Sequence, residues 1–148
     1  MMRKYYFLGD AMAKNREKAP EPLKAIVIED EPDLAELVSG FLEKLGFKVA
    51  QAAKYNEAVW KLQNQLFDLI IVDVLLDAAG RGDDIVAQIR SSTREPNCRT
   101  PVLIVSGHID RALLTRMAEQ PKLAMIVKPF KFEALRERIE QLVKLPSP

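Results

Sequence analysis

Glu29, Asp30, Asp73, Ser106 and Lys128 are the side chains whose types and positions can do chemistry together. Three are carboxylates, one is a hydroxyl and one an ammonium, and each lies just past a short apolar run. Carboxylates gathered in one place repel one another, and a cation relieves them. An oxygen-only donor set, without cysteine or histidine, selects a hard ion such as Mg²⁺, which keeps several waters and accepts one or two carboxylates. That ion in turn shares its shell readily with phosphate oxygens. A phosphoryl group in transit spreads its charge over three oxygens and needs positioning and positive counter-charge. The cation, Lys128 and Ser106 can take one oxygen each, with Gly107 leaving room beside the serine. Asp73 is then the nucleophile and forms an acyl phosphate. Taken singly, each residue has an ordinary structural explanation as a helix cap, a first-turn acid or a solvated lysine. Five of them at four strand ends are much harder to explain as accident.

The elements that must position them follow from the apolar pattern. Leu69-Ile70-Ile71-Val72, which runs into Asp73, is continuous rather than alternating and reads as a strand covered on both faces. Lys24 to Ile28, Pro101 to Val105 and Ala124 to Val127 read the same way, with a weaker strand over Lys48 to Ala52. Pro32 suits a helix start. Leu34, Leu37, Val38, Phe41, Leu42 and Leu45 then mark an inward stripe that Gly46 ends in a left-handed cap. Asn56 is expected to cap a second helix with inner residues Val59, Trp60 and Leu62. A short helix runs through Ile85, Val86 and Ile89. Another spans roughly 110–119 with Leu113, Leu114 and Met117 inward. The last uses Phe132, Leu135, Ile139, Leu142 and Val143. Strand and helix alternate five times, which predicts an α/β fold with a parallel sheet and helices on both faces. In such doubly wound sheets ligands bind in a crevice beyond the carboxyl ends of the strands.

The bulk numbers fit one domain. The chain has 148 residues, 48% of them hydrophobic and 29% charged, ordinary for a globular protein. We expect that domain over 23–145, after an extension over 1–22 that is flexible or loosely docked and holds an apolar knot at Tyr5 to Leu8. A net charge of +1 gives no field for nucleic acid or an anionic membrane. No apolar run approaches the roughly 20 residues of a bilayer span, and the start is too polar for a signal peptide. Cys98, the single cysteine, excludes an internal disulfide and any multi-cysteine metal site. A cytoplasmic location is expected.

As an ordered set, Val27-Ile28-Glu29-Asp30-Glu31-Pro32, Asp68 to Asp73, Val105-Ser106-Gly107 and Val127-Lys128-Pro129-Phe130 resemble the receiver domains of two-component response regulators, from Leu23 to Val143. The resemblance implies a flavodoxin-like sheet, and the 2-1-3-4-5 order is taken over from it. It implies that Glu29 and Asp30 hold Mg²⁺ with Asp73, the backbone carbonyl of Leu75 completing the shell. Asp73 would accept phosphate from a histidine kinase or a histidine phosphotransfer protein. Ser106, Gly107 and Lys128 would receive the phosphoryl oxygens, and Lys128-Pro129 would be a cis peptide. The sequence departs from the family at Met125, where an aromatic switch residue is common. It departs again at Asp77, which replaces a frequent proline and, with Asp83 and Asp84, makes an acidic loop able to tune metal or partner contact.

The expected function is a phosphorylation-dependent switch rather than a metabolic enzyme. Pulling Ser106 and Lys128 inward would bias the face formed by the fourth helix, fifth strand and fifth helix. With the sequence ending at Pro148, output is expected through an unidentified partner protein, or the domain is an intermediate phosphate carrier. Arg111, Arg116, Lys131, Arg136 and Arg138 offer a face for that partner or for a homodimer. His108 lies near enough to affect hydrolysis of the acyl phosphate, and Cys98 receives no role. Two rival readings are a receiver-like scaffold independent of phosphate and an aspartate-nucleophile phosphatase of haloacid-dehalogenase type. The latter needs an acid where Leu75 stands.

Overall fold

The computed structural model describes residues 20–147; the Tyr5 to Leu8 knot and most of the 1–22 extension lie outside them. Five strands alternate with five helices: β1 (Leu23–Ile28), α1 (Pro32–Lys44), β2 (Phe47–Ala52), α2 (Tyr55–Asn64), β3 (Leu69–Asp73), α3 (Gly82–Arg90), β4 (Val102–Ser106), α4 (Arg111–Met117), β5 (Leu123–Val127) and α5 (Phe132–Leu142). All strands are parallel and their order is β2-β1-β3-β4-β5. The expected sheet is therefore the one found.

Successive side chains of a strand point to opposite faces, so the continuous apolar runs serve two cores at once. Ile26, Ile28, Ile70, Val72, Val102 and Ile104 face α2, α3 and α4, meeting Ala58, Leu62, Ile85, Val86, Ile89, Leu113 and Met117. Ala25, Val27, Leu69, Ile71, Leu103 and Val105 face α1 and α5, meeting Val38, Leu42, Leu135 and Ile139. The register sets the ends: Ile28 pairs with Val72, Asp73 with Val105, and Ser106 with Val127. Four strand tips thus stop at one level, and the polar residues beyond them come together.

Helix ends follow the sequence in part. Pro32 opens α1, and Gly46 takes φ +102°, its amide bonded to the Glu43 carbonyl. Asn56 does not cap α2. That helix starts one residue earlier, where the Tyr55 amide donates to Asp77 Oδ2 at 3.2 Å and the Ala53 amide to Glu57 Oε1 at 2.9 Å. Asp110 caps α4 through the Leu113 amide. Leu37, Trp60 and Leu114, expected inward, are exposed. In each case a neighbour one or more positions away (Val38, Ala58, Leu113) takes the sheet-facing place. Phe132 also stays partly exposed, stacking on Phe41 at a centroid distance of 4.8 Å.

Candidate functional site

The loops after β1, β3, β4 and β5 bring the predicted residues to one rim of the sheet. Glu29, Asp30 and Asp73 each place a carboxylate oxygen within 4.8 Å of the others. Glu29 and Asp73 are buried and Asp30 is exposed. Lys128 reaches across from the end of β5, its Nζ 2.6 Å from Asp73 Oδ2 and 3.0 Å from Glu29 Oε1. The remaining oxygens of the two buried acids meet backbone donors: Glu31 N–H on Glu29 Oε2 at 3.1 Å and Leu75 N–H on Asp73 Oδ1 at 3.2 Å. It is thus the amide of Leu75 that touches the acid. The Leu75 side chain is exposed.

One ammonium therefore bridges two of three gathered carboxylates, and the electrostatics show the strain. Burial pushes the Glu29 carboxyl up to about 7, against hydrogen bonds from Lys128 and Glu31 and with the added repulsion of Asp73. Burial works against the Lys128 ammonium, yet hydrogen bonds to Asp73 and Glu29 hold it above its ordinary value. Convergent oxygen donors with an excess of negative charge fit a hard divalent cation.

Ser106 is buried at the tip of β4, and its hydroxyl is committed locally. It donates to the His108 carbonyl at 2.6 Å and accepts the His108 amide at 3.2 Å. Its own carbonyl accepts the Lys128 amide at 2.7 Å, which locks the tips of β4 and β5 together. A Cβ on Gly107 would meet open space. The Lys128–Pro129 peptide is cis. Met125 is half-buried, packed against the core under α2, α3 and α4.

The acidic loop is built differently from the expectation. Asp77 accepts the amides of Tyr55 and Ala79, Asp84 accepts the Arg81 amide, and Asp83 is buried between Arg81 and Arg116. These acids are turned into helix ends and ion pairs, leaving none of them in the carboxylate cluster. The basic face is correspondingly reduced: Arg116 is paired with Asp83 and Asp84, Arg136 with Glu140, and Arg138 donates to the Met125 carbonyl. Gly82 was missed altogether. A Cβ there would overlap the Asp73 carbonyl, and the Gly82 amide donates to Val74 O at 2.8 Å. The signal was a glycine at a helix start nine residues after the acid, visible but not distinctive.

With this geometry in place, residues 25–140 match the model of the response regulator receiver domain family. The chain belongs to that family. Among curated proteins, it is 30% identical over 127 residues to the phosphate regulon transcriptional regulatory protein PhoB of Escherichia coli, covering 84% of this chain and 53% of PhoB. It is 29% identical over 125 residues to the response regulator protein PilR of Pseudomonas aeruginosa, covering 84% of this chain and 27% of PilR. The receiver thus spans about half or less of these relatives. Among solved structures, the chemotaxis protein CheY4 of Vibrio cholerae superposes with a TM-score of 0.73 at 25% identity, covering 82% of this chain and 99% of CheY4. The HemR receiver domain of Leptospira biflexa gives 0.73 at 25% identity, covering 85% and 98%. No helix among the described residues is long and apolar enough to cross a membrane.

Proposed function

We propose that this receiver is a cytoplasmic, phosphorylation-dependent switch whose acceptor is Asp73. The observation that carries the reading is Lys128, bridging Asp73 and Glu29 beside Asp30. In the receiver domain of the Pseudomonas aeruginosa sensor histidine kinase PA1611, 21% identical to this chain, a magnesium ion is coordinated in the active site cleft. Here Glu29, Asp30 and Asp73 would hold such an ion, with the Leu75 carbonyl, and it would neutralise phosphoryl oxygens in transit.

The donor is a phosphohistidine on a histidine kinase or phosphotransfer protein. A carboxylate oxygen of Asp73 attacks phosphorus, the N–P bond breaks, and its electron pair returns to the imidazole. The product is an acyl phosphate, which water later hydrolyses. Lys128 passes from Asp73 Oδ2 to a phosphoryl oxygen. Ser106 turns its hydroxyl from the His108 carbonyl to another, with Gly107 leaving that path open. Because Ser106 O holds the Lys128 amide, the two movements bias one arrangement of the α4–β5–α5 face, where an output protein or a second copy would dock. Met125 repacks in place of an aromatic residue.

Incubation with a small phosphodonor and Mg²⁺, followed by intact-mass measurement, tests this. One phosphoryl group should add to the wild type, and Asp73→Asn or chelation of the metal should prevent it. An unmodified wild type that still binds its partner would make the domain a phosphate-independent scaffold. Sustained hydrolysis of varied phosphoesters would make it a phosphatase.

A further inference from the structure

Behind the site lies an ion cluster that phosphoryl transfer does not use. Asp83 is the second residue of α3, its side chain 3% exposed. Each of its oxygens has one guanidinium: Arg81 Nε lies 2.9 Å from Oδ1, and Arg116 Nη1 lies 2.8 Å from Oδ2. The same Nη1 is 2.8 Å from Asp84 Oδ1, whose other oxygen accepts the Arg81 amide at 2.9 Å. Three of the four members are neighbours in sequence. Arg116 alone comes from α4, thirty-three residues away.

The cluster sits directly against the acceptor strand. Gly82, immediately before Asp83, is pressed on the Asp73 carbonyl and bonded to Val74 O, so the first turn of α3 backs the main chain of the acceptor. A buried carboxylate that loses a partner is strongly unfavourable, so this turn and Arg116 are held to one arrangement. Helix α4, which carries Arg116, continues directly from the Ser106–His108 turn through its Asp110 cap. The tips of β3 and β4 are therefore joined twice: in front through the site, and behind through Asp83 and Arg116.

We propose that Arg116 is a positioning residue for the Asp73 site, fixing the first turn of α3 behind the acceptor and tying it to α4. This rests on the reading of Asp73 as phosphoryl acceptor. By linkage, occupancy of Asp73 and the strength of the Asp83–Arg116 pair change each other by the same factor.

The test is titration of the folded full chain with beryllofluoride and Mg²⁺, well below the thermal midpoint. A contact that only stabilises the fold lowers the midpoint without changing affinity, so affinity is the deciding readout. Wild type should bind. Arg116→Ala should bind about tenfold more weakly, within the usual range of coupling between two linked sites. Arg116→Lys should recover part of the loss. Combining Arg116→Ala with Asp83→Asn removes the buried charge that Arg81 alone would still answer, and affinity should stay low. Arg136→Ala, which breaks only the exposed pair with Glu140, should bind as wild type does. If wild type does not bind, the acceptor reading fails. If wild type and Arg116→Ala bind equally, the acceptor stands and the positioning role is overturned.

Discussion

At the carboxyl ends of the strands, Lys128 answers Glu29 and Asp73 while Asp30 stands in solvent beside them. At the amino ends of β3, β4 and β5, the buried Asn97 has every polar atom of its amide engaged. Its Nδ2 donates to the Leu62 and Gln65 carbonyls at 2.7 and 2.8 Å; its Oδ1 accepts the Phe67 amide at 2.9 Å and lies 2.9 Å from the Thr100 hydroxyl. Arg90 closes the same loop through the carbonyls of Asn97, Thr100 and Pro121. One pole carries unbalanced charge and the other a nearly saturated network. Saturation is what stability requires of buried polar groups. Excess like charge works against stability, and groups perturbed in this way cluster at functional sites.

The largest expected effect on stability is at the saturated pole. Asn97→Ala strips partners from the Leu62 and Gln65 carbonyls and the Phe67 amide, and should cost about 3–5 kcal/mol in urea unfolding. Phosphoryl uptake by the protein that remains folded should stay within about twofold of wild type, since Asn97 lies at the far end of the strands. Asp73→Asn should behave in reverse, with uptake lost and stability moved by less than about 1 kcal/mol, because repulsion and an ion pair go together. A loss of uptake in folded Asn97→Ala would break the contrast.

Gly82→Ala is a smaller change that should register in both readouts. The added methyl meets the Asp73 carbonyl, so either α3 or the Asp73 backbone must give way, at about 2 kcal/mol. Slower phosphoryl uptake should accompany that loss. Unchanged uptake would show that α3 moves and the Asp73 backbone does not.

The legible part of this molecule was the part set by local pattern. Short apolar runs without alternation read as doubly covered strands, and a parallel sheet gathers the residues just past its strands on one rim. Which of the tips carrying Glu29, Asp30, Asp73, Ser106 and Lys128 are neighbours came from the family resemblance and not from the pattern. Which of two adjacent apolar residues faces the sheet depends on a rotation of the helix that local pattern leaves open, and Leu37, Trp60 and Leu114 fell on the wrong side of it. Asp77, Asp83 and Asp84 look in sequence like one more acidic patch. Their partners Tyr55 and Arg116 lie 22 and 33 residues away, and only the fold brings them in. Asn97, in a polar loop, gave no signal, because its bonds to Leu62 and Gln65 span 35 and 32 residues.

The smallest effect separates exposed charge from both buried poles. Glu57 accepts the Ala53 amide and lies 3.3 Å from Lys61 Nζ, its side chain 47% exposed. The Ala53 amide first, and Lys61 after it, hold its carboxyl below the ordinary 4.5. A depressed carboxyl contributes stability above its unfolded value and loses that contribution as pH falls through its folded one. Solvent screening limits the amount, so Glu57→Gln should cost only about 0.5 kcal/mol near neutral pH. Urea midpoints of wild type and variant should converge as pH falls below the depressed folded value, where both side chains are neutral. A gap that widens towards acid would mean that Glu57 is held by something other than its charge, and that exposed acids here obey the rule of the saturated pole.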